Sequence, residues 1–321
     1  MPLETLEFEE PIAVLLKEID ALTLLPRTDA REREVEALGR RLVAVRASLY
    51  KSLTPWQRVL VARHPNRPGL EDFIRRLFTG FVEIHGDRRF ADDHAIMTGF
   101  AEYKGQPVLL LGHVKGGDTK EKIFRNFGYA RPEGYRKALR AMRLAEKFRR
   151  PVVVFVDTPA AYPGIESEER GVAEAIAVNI RDMSVLDTPV IVIVSGEGGS
   201  GGALGIAIGD RVLMQEFAIY SVIPPEGCAA LVWRDSTKKS EAAAALKLTA
   251  PDLLEFGIID EIVKEPIGGA HTDHGAAAEL VDAVLTRALT EVSAMTPEAR
   301  LAKRYEKFRN MGRAGIDFLE E

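Results

Sequence analysis

The feature that most constrains this chain is an apolar run leading straight into a cluster of glycines. Residues 189–194, Pro-Val-Ile-Val-Ile-Val, have the β-branched density of a strand buried on both faces. Five glycines then fall within residues 196–202. Glycine allows close backbone approach and leaves peptide N–H groups uncovered. We therefore expect a turn that holds a developing negative charge with backbone amides, followed by a buried helix over 203–208 that Gly209 stops.

Strands and helices alternate on both sides of this stretch. The patterns predict helices over 132–148 and 167–186, and strands over 152–156, 190–194, 211–214 and 218–222. This alternation indicates an α/β fold with a largely parallel sheet and right-handed crossovers. Because the loops after 152–156 and 190–194 then lie at the same sheet edge, the functional site is expected to be built from both.

Four expectations concern the flanking segments. The apolar spacing predicts one helix over 70–84, and residues 95–103 and 107–114 predict a β-hairpin. His64 lies in a stretch with the composition of a linker and is interpreted as an ordinary polar loop residue. The glycine-rich loop 268–274 is expected to be flexible.

The chain divides by pattern into three parts. Residues 1–53 carry two apolar stripes at helical spacing, separated by Pro26, and predict a helical hairpin or one arm of a coiled coil. Its charged face is interpreted as solvated, and its apolar stripe is a candidate interface with a partner subunit. Residues 54–295 form the main domain, and 296–321 form a C-terminal helix that packs on the core or on a partner.

Composition excludes several classes of protein. A formal net charge of −5 argues against general nucleic-acid binding. Cys228 is the single cysteine, which excludes an internal disulfide and a thiolate zinc site, and we interpret it as a small core residue rather than a nucleophile. With no signal peptide, no apolar run long enough for a membrane span and no metal-ligand spacing, a metal-free cytoplasmic protein is expected.

Two nucleotide-binding motifs compete for the glycine-rich stretch. Residues 196–201 match G-x-G-x-x-G, and Glu216 follows twenty positions after Gly196. The following helix is too short for a dinucleotide fold, and the stretch lies far from the first strand of the sheet. A P-loop is excluded because Gly202 stands where the motif requires lysine.

A serine hydrolase is the alternative that remains open. Residues 198–202 match G-x-S-x-G with Ser200 between a predicted strand and a predicted helix. Candidate triad partners follow it in the chain: Asp235, Asp252, Asp260, His271 and His274. The extra glycines beside the serine and the glycine-rich setting of both histidines argue against this interpretation.

A basic stretch follows the predicted hairpin. Its cations fall within seventeen positions and are Lys115, Lys120, Lys122, Arg125 and Arg131. The stretch lacks the Gly-Lys-Ser/Thr ending of a nucleotide P-loop. It is interpreted as a solvated loop, with contact to substrate phosphates as the alternative.

Three longer motifs carry a family resemblance. Residues 155–164 (FVDTPAAYPG), 196–204 (GEGGSGGAL) and 225–229 (PEGCA) resemble the alpha subunit of the carboxyltransferase of bacterial multisubunit acetyl-CoA carboxylase. Supporting segments occur at 62–65, 86–88, 119–122, 132–138 and 266–271, so the resemblance covers nearly the whole chain in order. It implies a crotonase-like (ClpP/crotonase) spiral of ββα units over 54–295, with an N-terminal helical extension and C-terminal helices.

The resemblance implies a function shared with other proteins. A beta subunit, in an α2β2 heterotetramer, would supply the acetyl-CoA side of the site and a zinc ribbon. Carboxybiotin would arrive on a separate biotin carboxyl carrier protein that a biotin carboxylase loads. Transfer of the carboxyl group to acetyl-CoA would give malonyl-CoA, the first committed step of fatty acid synthesis. This division accounts for the lack of zinc cysteines and of a biotinylation Met-Lys-Met here.

The resemblance also implies site residues. Backbone amides of Gly201, Gly202 and Ala203 would stabilise the ureido oxygen of biotin as CO2 leaves, and the acetyl-CoA enolate on beta would then attack that CO2. The implied substrate-binding residues are Thr158, Pro159, Ala160, Ala161, Tyr162, Gly164, Gly198 and Gly199. The family usually has glycine at Ala160; alanine keeps the N–H and is strained only if its φ is positive.

Overall fold

An eight-stranded sheet runs through the protein, whose computed structural model describes residues 5–312. Its strands are β1 Thr79–Glu83, β2 Ile96–Tyr103, β3 Gln106–His113, β4 Val152–Thr158, β5 Val190–Gly199, β6 Arg211–Gln215, β7 Ile219–Ser221 and β8 Glu261–Val263. The strand order is β1-β2-β3-β4-β5-β6-β8, and β7 pairs with β5. β1, β2 and β3 pair antiparallel, and every pairing from β3 onward is parallel, which confirms the largely parallel sheet.

Helices cover both faces of the sheet and extend the chain at both ends. They are α1 Glu10–Thr23, α2 Asp29–Lys51, α3 Pro55–Ala62, α4 Leu70–Leu77, α5 Thr119–Phe124, α6 Pro132–Lys147, α7 Ile165–Glu169, α8 Val172–Ser184, α9 Ser200–Leu204, α10 Pro225–Trp233, α11 Lys239–Ala245, α12 Ala250–Glu255, α13 His274–Ser293 and α14 Pro297–Asn310. Side-chain hydrogen bonds cap the N-termini of several helices. At the start of α3, for example, the Thr54 hydroxyl accepts the Gln57 N–H at 3.2 Å. No helix within residues 5–312 is long and apolar enough to cross a bilayer.

The central strand β5 is buried on both faces, as its composition predicts. Val190, Val192 and Val194 face the cluster that includes α6 and α8, whereas Ile191 and Ile193 face the cluster that includes α4 and α13. All five side chains are fully buried. The alternation places apolar side chains in both layers, so the end of β5 is held between two packed cores.

The terminal helices pack on the rest of the protein. α1 and α2 contact each other, and their Ile12 and Tyr50 join a small cluster with Val61 and Phe217 of the main domain. α14 is fixed through Arg304, which is 1% exposed and bonds both carboxylate oxygens of Asp210 at 2.8 Å. The C-terminal helix therefore packs on the core; residues 313–321 lie outside the described part.

Two predicted helices are wrong in extent. Residues 70–84 do not form one helix, because α4 ends at Leu77 and the chain continues as β1. Gly80, with a left-handed φ of 61°, lies at the irregularity between Thr79 and Val82 where β1 pairs with β2. The predicted helix over 167–186 is divided into α7 and α8 at Gly171, whose φ of 77° does not fit a right-handed helix.

Two expectations about loops are also wrong. His64 is not an exposed polar residue but is 4% exposed, and its ring stacks on that of His271 with centroids 4.0 Å apart. The loop 268–274 is held in place: the Asn66 amide donates to the His271 carbonyl at 2.7 Å, and the Ala270 N–H donates to the Glu265 carboxylate at 2.7 Å. Long-range polar contacts thus order this glycine-rich segment.

Candidate functional site

The glycine-rich segment begins as strand rather than as turn. β5 continues through Gly199, with Gly198 paired to Thr158 of β4 on one side and to Tyr220 of β7 on the other. Ser200 then takes a positive φ of 48° and starts α9. The predicted turn is therefore confined to the residues around Ser200, and the predicted helix over 203–208 starts earlier and ends at Leu204.

The chain's own backbone fills the space beside two of these glycines. A Cβ on Gly199 would overlap the carbonyl of Pro159, and one on Gly202 would overlap the backbone of Ala160 and Ala161. The two segments that the sequence assigns to one site, 158–164 and 198–203, are thus in direct backbone contact. The glycines at 199 and 202 make this contact possible.

Hydrogen bonds fix the loop that follows β4. The Thr158 hydroxyl lies 2.7 Å from the carbonyl oxygen of Gly128 and 2.8 Å from that of Ala160. The Tyr162 N–H donates to the Ala130 carbonyl at 2.9 Å. Ala160 is not among the residues with positive φ, so alanine fits here without backbone strain.

The first turn of α9 presents uncharged donors. The first N–H groups of a helix have no acceptor within that helix. Gly202 and Ala203 are buried, whereas Gly201 is half-buried, and the nearest atom to a Cβ built on Gly201 would be Ile176 Cδ1 at 3.6 Å. The Tyr135 hydroxyl donates to the Gly202 carbonyl at 3.4 Å. Of Gly201, Gly202 and Ala203, Gly201 is therefore the residue that is partly accessible from outside.

The histidines and acids proposed as partners of Ser200 are engaged elsewhere. His271 stacks on His64, and the Nε2 of His274 lies 2.6 Å from the Asn66 carbonyl oxygen. The carboxylates bond other groups: Asp235 accepts from Thr237, Asp252 from Thr249, and Asp260 from Val212 and Lys307. The described residues therefore give no assembled Ser–His–Asp triad at Ser200.

Four charged side chains meet beside the ends of β4 and β5. Lys115 Nζ lies 2.7 Å from Asp157 Oδ1 and 2.7 Å from Glu197 Oε2. Arg63 bonds Glu197 and Glu226, each at 2.6 Å. The Lys115 ammonium, which the sequence offered as a phosphate contact, is thus paired within the chain. We call Arg63, Lys115, Asp157 and Glu197 the charge cluster.

Glu197 and Lys115 of the charge cluster stay ionised, whereas a neighbouring histidine is neutral. Burial acts to raise the pKa of Glu197, but Lys115 and Arg63 outweigh it and hold that pKa below its usual value. Burial acts to lower the pKa of Lys115, and Asp157 and Glu197 reverse this. Burial and, to a lesser extent, the positive charge of Lys115 lower the pKa of His113 to about 3. A hydrogen bond with the backbone of Gly202 acts in the opposite direction and is outweighed. His113 is therefore neutral at pH 7.

A cavity of about 1000 Å³ adjoins the charge cluster. Its polar lining includes Arg63, Arg67, His113, Lys115, Asp157 and His274. The sequence analysis did not predict this cavity. Its lining residues at the carboxyl ends of β3 and β4 could have indicated it, because ligands bind at the carboxyl ends of parallel strands. Within the described part of the chain, no group of three or more His, Cys, Asp or Glu side chains is placed to hold a metal ion.

Comparison with known sequences gives a match over nearly the whole chain. The family model described as acetyl co-enzyme A carboxylase carboxyltransferase-like matches residues 5–312. The acetyl-coenzyme A carboxylase carboxyl transferase subunit alpha of Geobacter metallireducens is 55% identical over 309 residues, covering 96% of this chain and 97% of the relative. The subunit of the same name from Oceanobacillus iheyensis is 50% identical over 309 residues, with coverage of 96% and 98%.

Comparison with solved structures identifies the fold. Transcarboxylase 12S, solved with methylmalonyl-coenzyme A and methylmalonic acid bound, has a TM-score of 0.56 at 19% identity over 70% of this chain, which spans only 42% of that protein. A Pseudomonas malonate decarboxylase hetero-tetramer in complex with coenzyme A has a TM-score of 0.56 at 18% identity, with coverage of 67% and 86%. The crotonase-like α/β fold is thereby confirmed.

Proposed function

This chain belongs to the acetyl-CoA carboxylase carboxyltransferase alpha family, and we propose that it forms the biotin-binding half of the carboxyltransferase site. It is an enzyme component, the alpha subunit, which acts with a beta subunit to transfer a carboxyl group to acetyl-CoA and form malonyl-CoA. The observation that carries this conclusion is the family match over residues 5–312 together with 55% identity to a relative of that name. The serine hydrolase alternative has no support among these relatives.

The backbone amides of α9 are the proposed oxyanion-stabilising groups. Their fit to a biotin ureido oxygen rests on the donor set: N–H groups of Gly201, Gly202 and Ala203 are uncharged and fixed by the helix start. When bound, carboxybiotin supplies the carboxyl group that is transferred. The amides hold and polarise the oxygen on which negative charge develops, and donors fixed in advance need no reorganisation.

The loop after β4 is the proposed facing wall. Thr158 and Tyr162 hold the loop through the hydrogen bonds described above. Ala160 and Ala161 are half-buried against Gly202 of α9, and Pro159 is half-buried against Gly199 at the end of β5, so the wall stays in contact with the amide donors. The proposed substrate-binding set remains Thr158, Pro159, Ala160, Ala161, Tyr162, Gly164, Gly198 and Gly199.

Exposed apolar side chains beside both walls support a covering partner. Ile165, directly after the loop, is 74% exposed, and Leu204 at the end of α9 is 40% exposed. Apolar side chains exposed beside a site are typical of an interface, and a beta subunit there would exclude water from the site. The malonate decarboxylase of similar fold is itself a hetero-tetramer. We propose an α2β2 assembly in which beta carries the zinc and the acetyl-CoA side.

The remaining proposals concern the wider setting. Biotin is delivered on a separate carrier protein, which a biotin carboxylase loads, since no biotinylation Met-Lys-Met occurs in this chain. The single cysteine fits a reducing cytoplasmic location. We also propose that residues 54–295 act as the carboxyltransferase domain, preceded by a helical hairpin within 1–53 and followed by the C-terminal helix α14, Pro297–Asn310.

A Ser200→Ala variant tests the function against its alternative. Malonyl-CoA formation with beta present is expected to fall by no more than about fivefold, because Ser200 contributes backbone geometry rather than a nucleophile. A serine hydrolase would instead lose several orders of magnitude of activity. The same variant and the wild type are assayed with activated esters as a control. Ester hydrolysis that disappears in Ser200→Ala would overturn the assignment.

A further inference from the structure

Lys115 links the neighbouring strands β4 and β5 through ion pairs with a carboxylate on each strand. It follows β3, and its side chain is 23% exposed. Its ammonium lies at the same distance, 2.7 Å, from Asp157 at the end of β4 and Glu197 near the end of β5. One cation therefore neutralises two carboxylates on neighbouring strands.

Both carboxylates stand directly before the proposed walls of the site. Asp157 precedes Thr158 and the loop, whereas Glu197 precedes Gly198 and the start of α9. Asp157 Oδ1 also accepts the N–H of Glu197 at 2.9 Å, so the two acidic residues are in contact. Without a cation between them, like charges at this separation repel each other.

We propose that Lys115 is a positioning residue that sets the separation of segments 158–164 and 198–203. The inference rests on the proposed function, because these segments are the proposed walls. Lys115 touches neither wall through hydrogen bonds of its own; it acts through Asp157 and Glu197. Without the ammonium, repulsion between the two carboxylates pushes the ends of β4 and β5 apart. The close contact of Gly199 with Pro159 then loosens.

The surroundings of Lys115 favour positioning over phosphate binding. Its charge is already balanced by two carboxylates at hydrogen-bond distance. Arg63 compensates Glu197 from the other side and extends the charge cluster to Glu226 of α10. An anionic ligand at Lys115 would have to compete with carboxylates fixed in the fold, which is unfavourable in a partly buried site.

The test compares Lys115→Met with Lys120→Met, which removes an exposed charge from the same stretch. In amide hydrogen exchange of the isolated chain, Lys115→Met is expected to speed exchange about tenfold or more in peptides covering 158–164 and 196–204. With beta present, its kcat is expected to fall about tenfold or more while KM for acetyl-CoA changes less than about twofold. Lys120→Met is expected to match the wild type in both measurements.

A double variant tests whether repulsion between the two carboxylates is the cause. Adding Asp157→Asn to Lys115→Met removes the carboxylate that has lost its cation, and the Asn side-chain oxygen can still accept the Glu197 N–H. Slow exchange in 158–164 and 196–204 and most of kcat are therefore expected to return. A double variant that regains thermal stability but neither slow exchange nor kcat would overturn the inference. So would unchanged exchange in Lys115→Met, or an equal rise of KM for acetyl-CoA in both lysine variants. Absence of malonyl-CoA formation by wild type with beta would instead overturn the proposed function, and the exchange result would still decide the inference.

Discussion

Replacing Gly202 with alanine is expected to lower malonyl-CoA formation about a hundredfold or more in the presence of beta. A Cβ at this position would overlap the backbone of Ala160 and Ala161, so the loop must shift away from α9. The loss of one well-placed oxyanion donor alone costs about 10²–10³ in kcat. Initial rates of malonyl-CoA formation measure the effect.

The expected loss comes from geometry rather than from unfolding. Overpacking of this kind costs about 1–3 kcal/mol, and a chain of this size is expected to stay folded by circular dichroism. Gly39→Ala is the matched control, because no atom lies within 4 Å of a Cβ at that helical position. Gly39→Ala should keep full activity. Wild-type rates in Gly202→Ala would show that the contact between the walls has no catalytic importance.

Replacing Arg67 with methionine is expected to lower the free energy of unfolding by about 3–5 kcal/mol. The Arg67 guanidinium bonds Glu265 at 2.6 and 2.9 Å, and the two side chains are 3% and 0% exposed. Arg67 also donates to the Ser195 carbonyl of β5 at 2.6 Å. Its removal leaves a carboxylate buried without its counter-ion. Urea unfolding followed by circular dichroism measures the change.

An arginine a short distance along the chain provides the control. Arg75 pairs with Asp72 at 2.6 Å, but its side chain is 67% exposed. Arg75→Met is therefore expected to cost less than about 1 kcal/mol. Adding Glu265→Gln to Arg67→Met should restore part of the loss, because the buried charge is then gone and the Gln oxygen still accepts one of the N–H groups of Phe217 and Ala270. Equal costs for Arg67→Met and Arg75→Met would contradict the account.

The sequence predicts local features of the fold well. β5 follows from its β-branched run, and the antiparallel pair of β2 and β3 follows from the two apolar runs that predict a hairpin. The helix expected over 70–84 is wrong because apolar spacing alone cannot distinguish a continued helix from a helix followed by an edge strand. Pairing of β1 with β2 decides the outcome, and such pairing is not visible in a local pattern.

The site is predictable in part. The two walls are expected to meet because both follow parallel strands, and residues 158–164 and 198–203 do lie together. The partners of His64, Lys115 and Glu197 come from segments far apart in sequence, so spacing carries no sign of them. Spacing also cannot exclude Ser200 as a nucleophile. The aspartates and histidines that could form a triad with Ser200 are excluded only by their positions in the fold.

Reconstitution with a beta subunit tests whether this chain is half of a shared carboxyltransferase site. The purified chain, a purified beta subunit and their mixture are each given acetyl-CoA and a carboxylated biotin derivative, and malonyl-CoA is quantified. Malonyl-CoA is expected from the mixture alone, with none from either subunit by itself. Malonyl-CoA formation by this chain without beta, or none from a mixture in which the two subunits associate, would contradict the claim that the chain is half of a shared carboxyltransferase site.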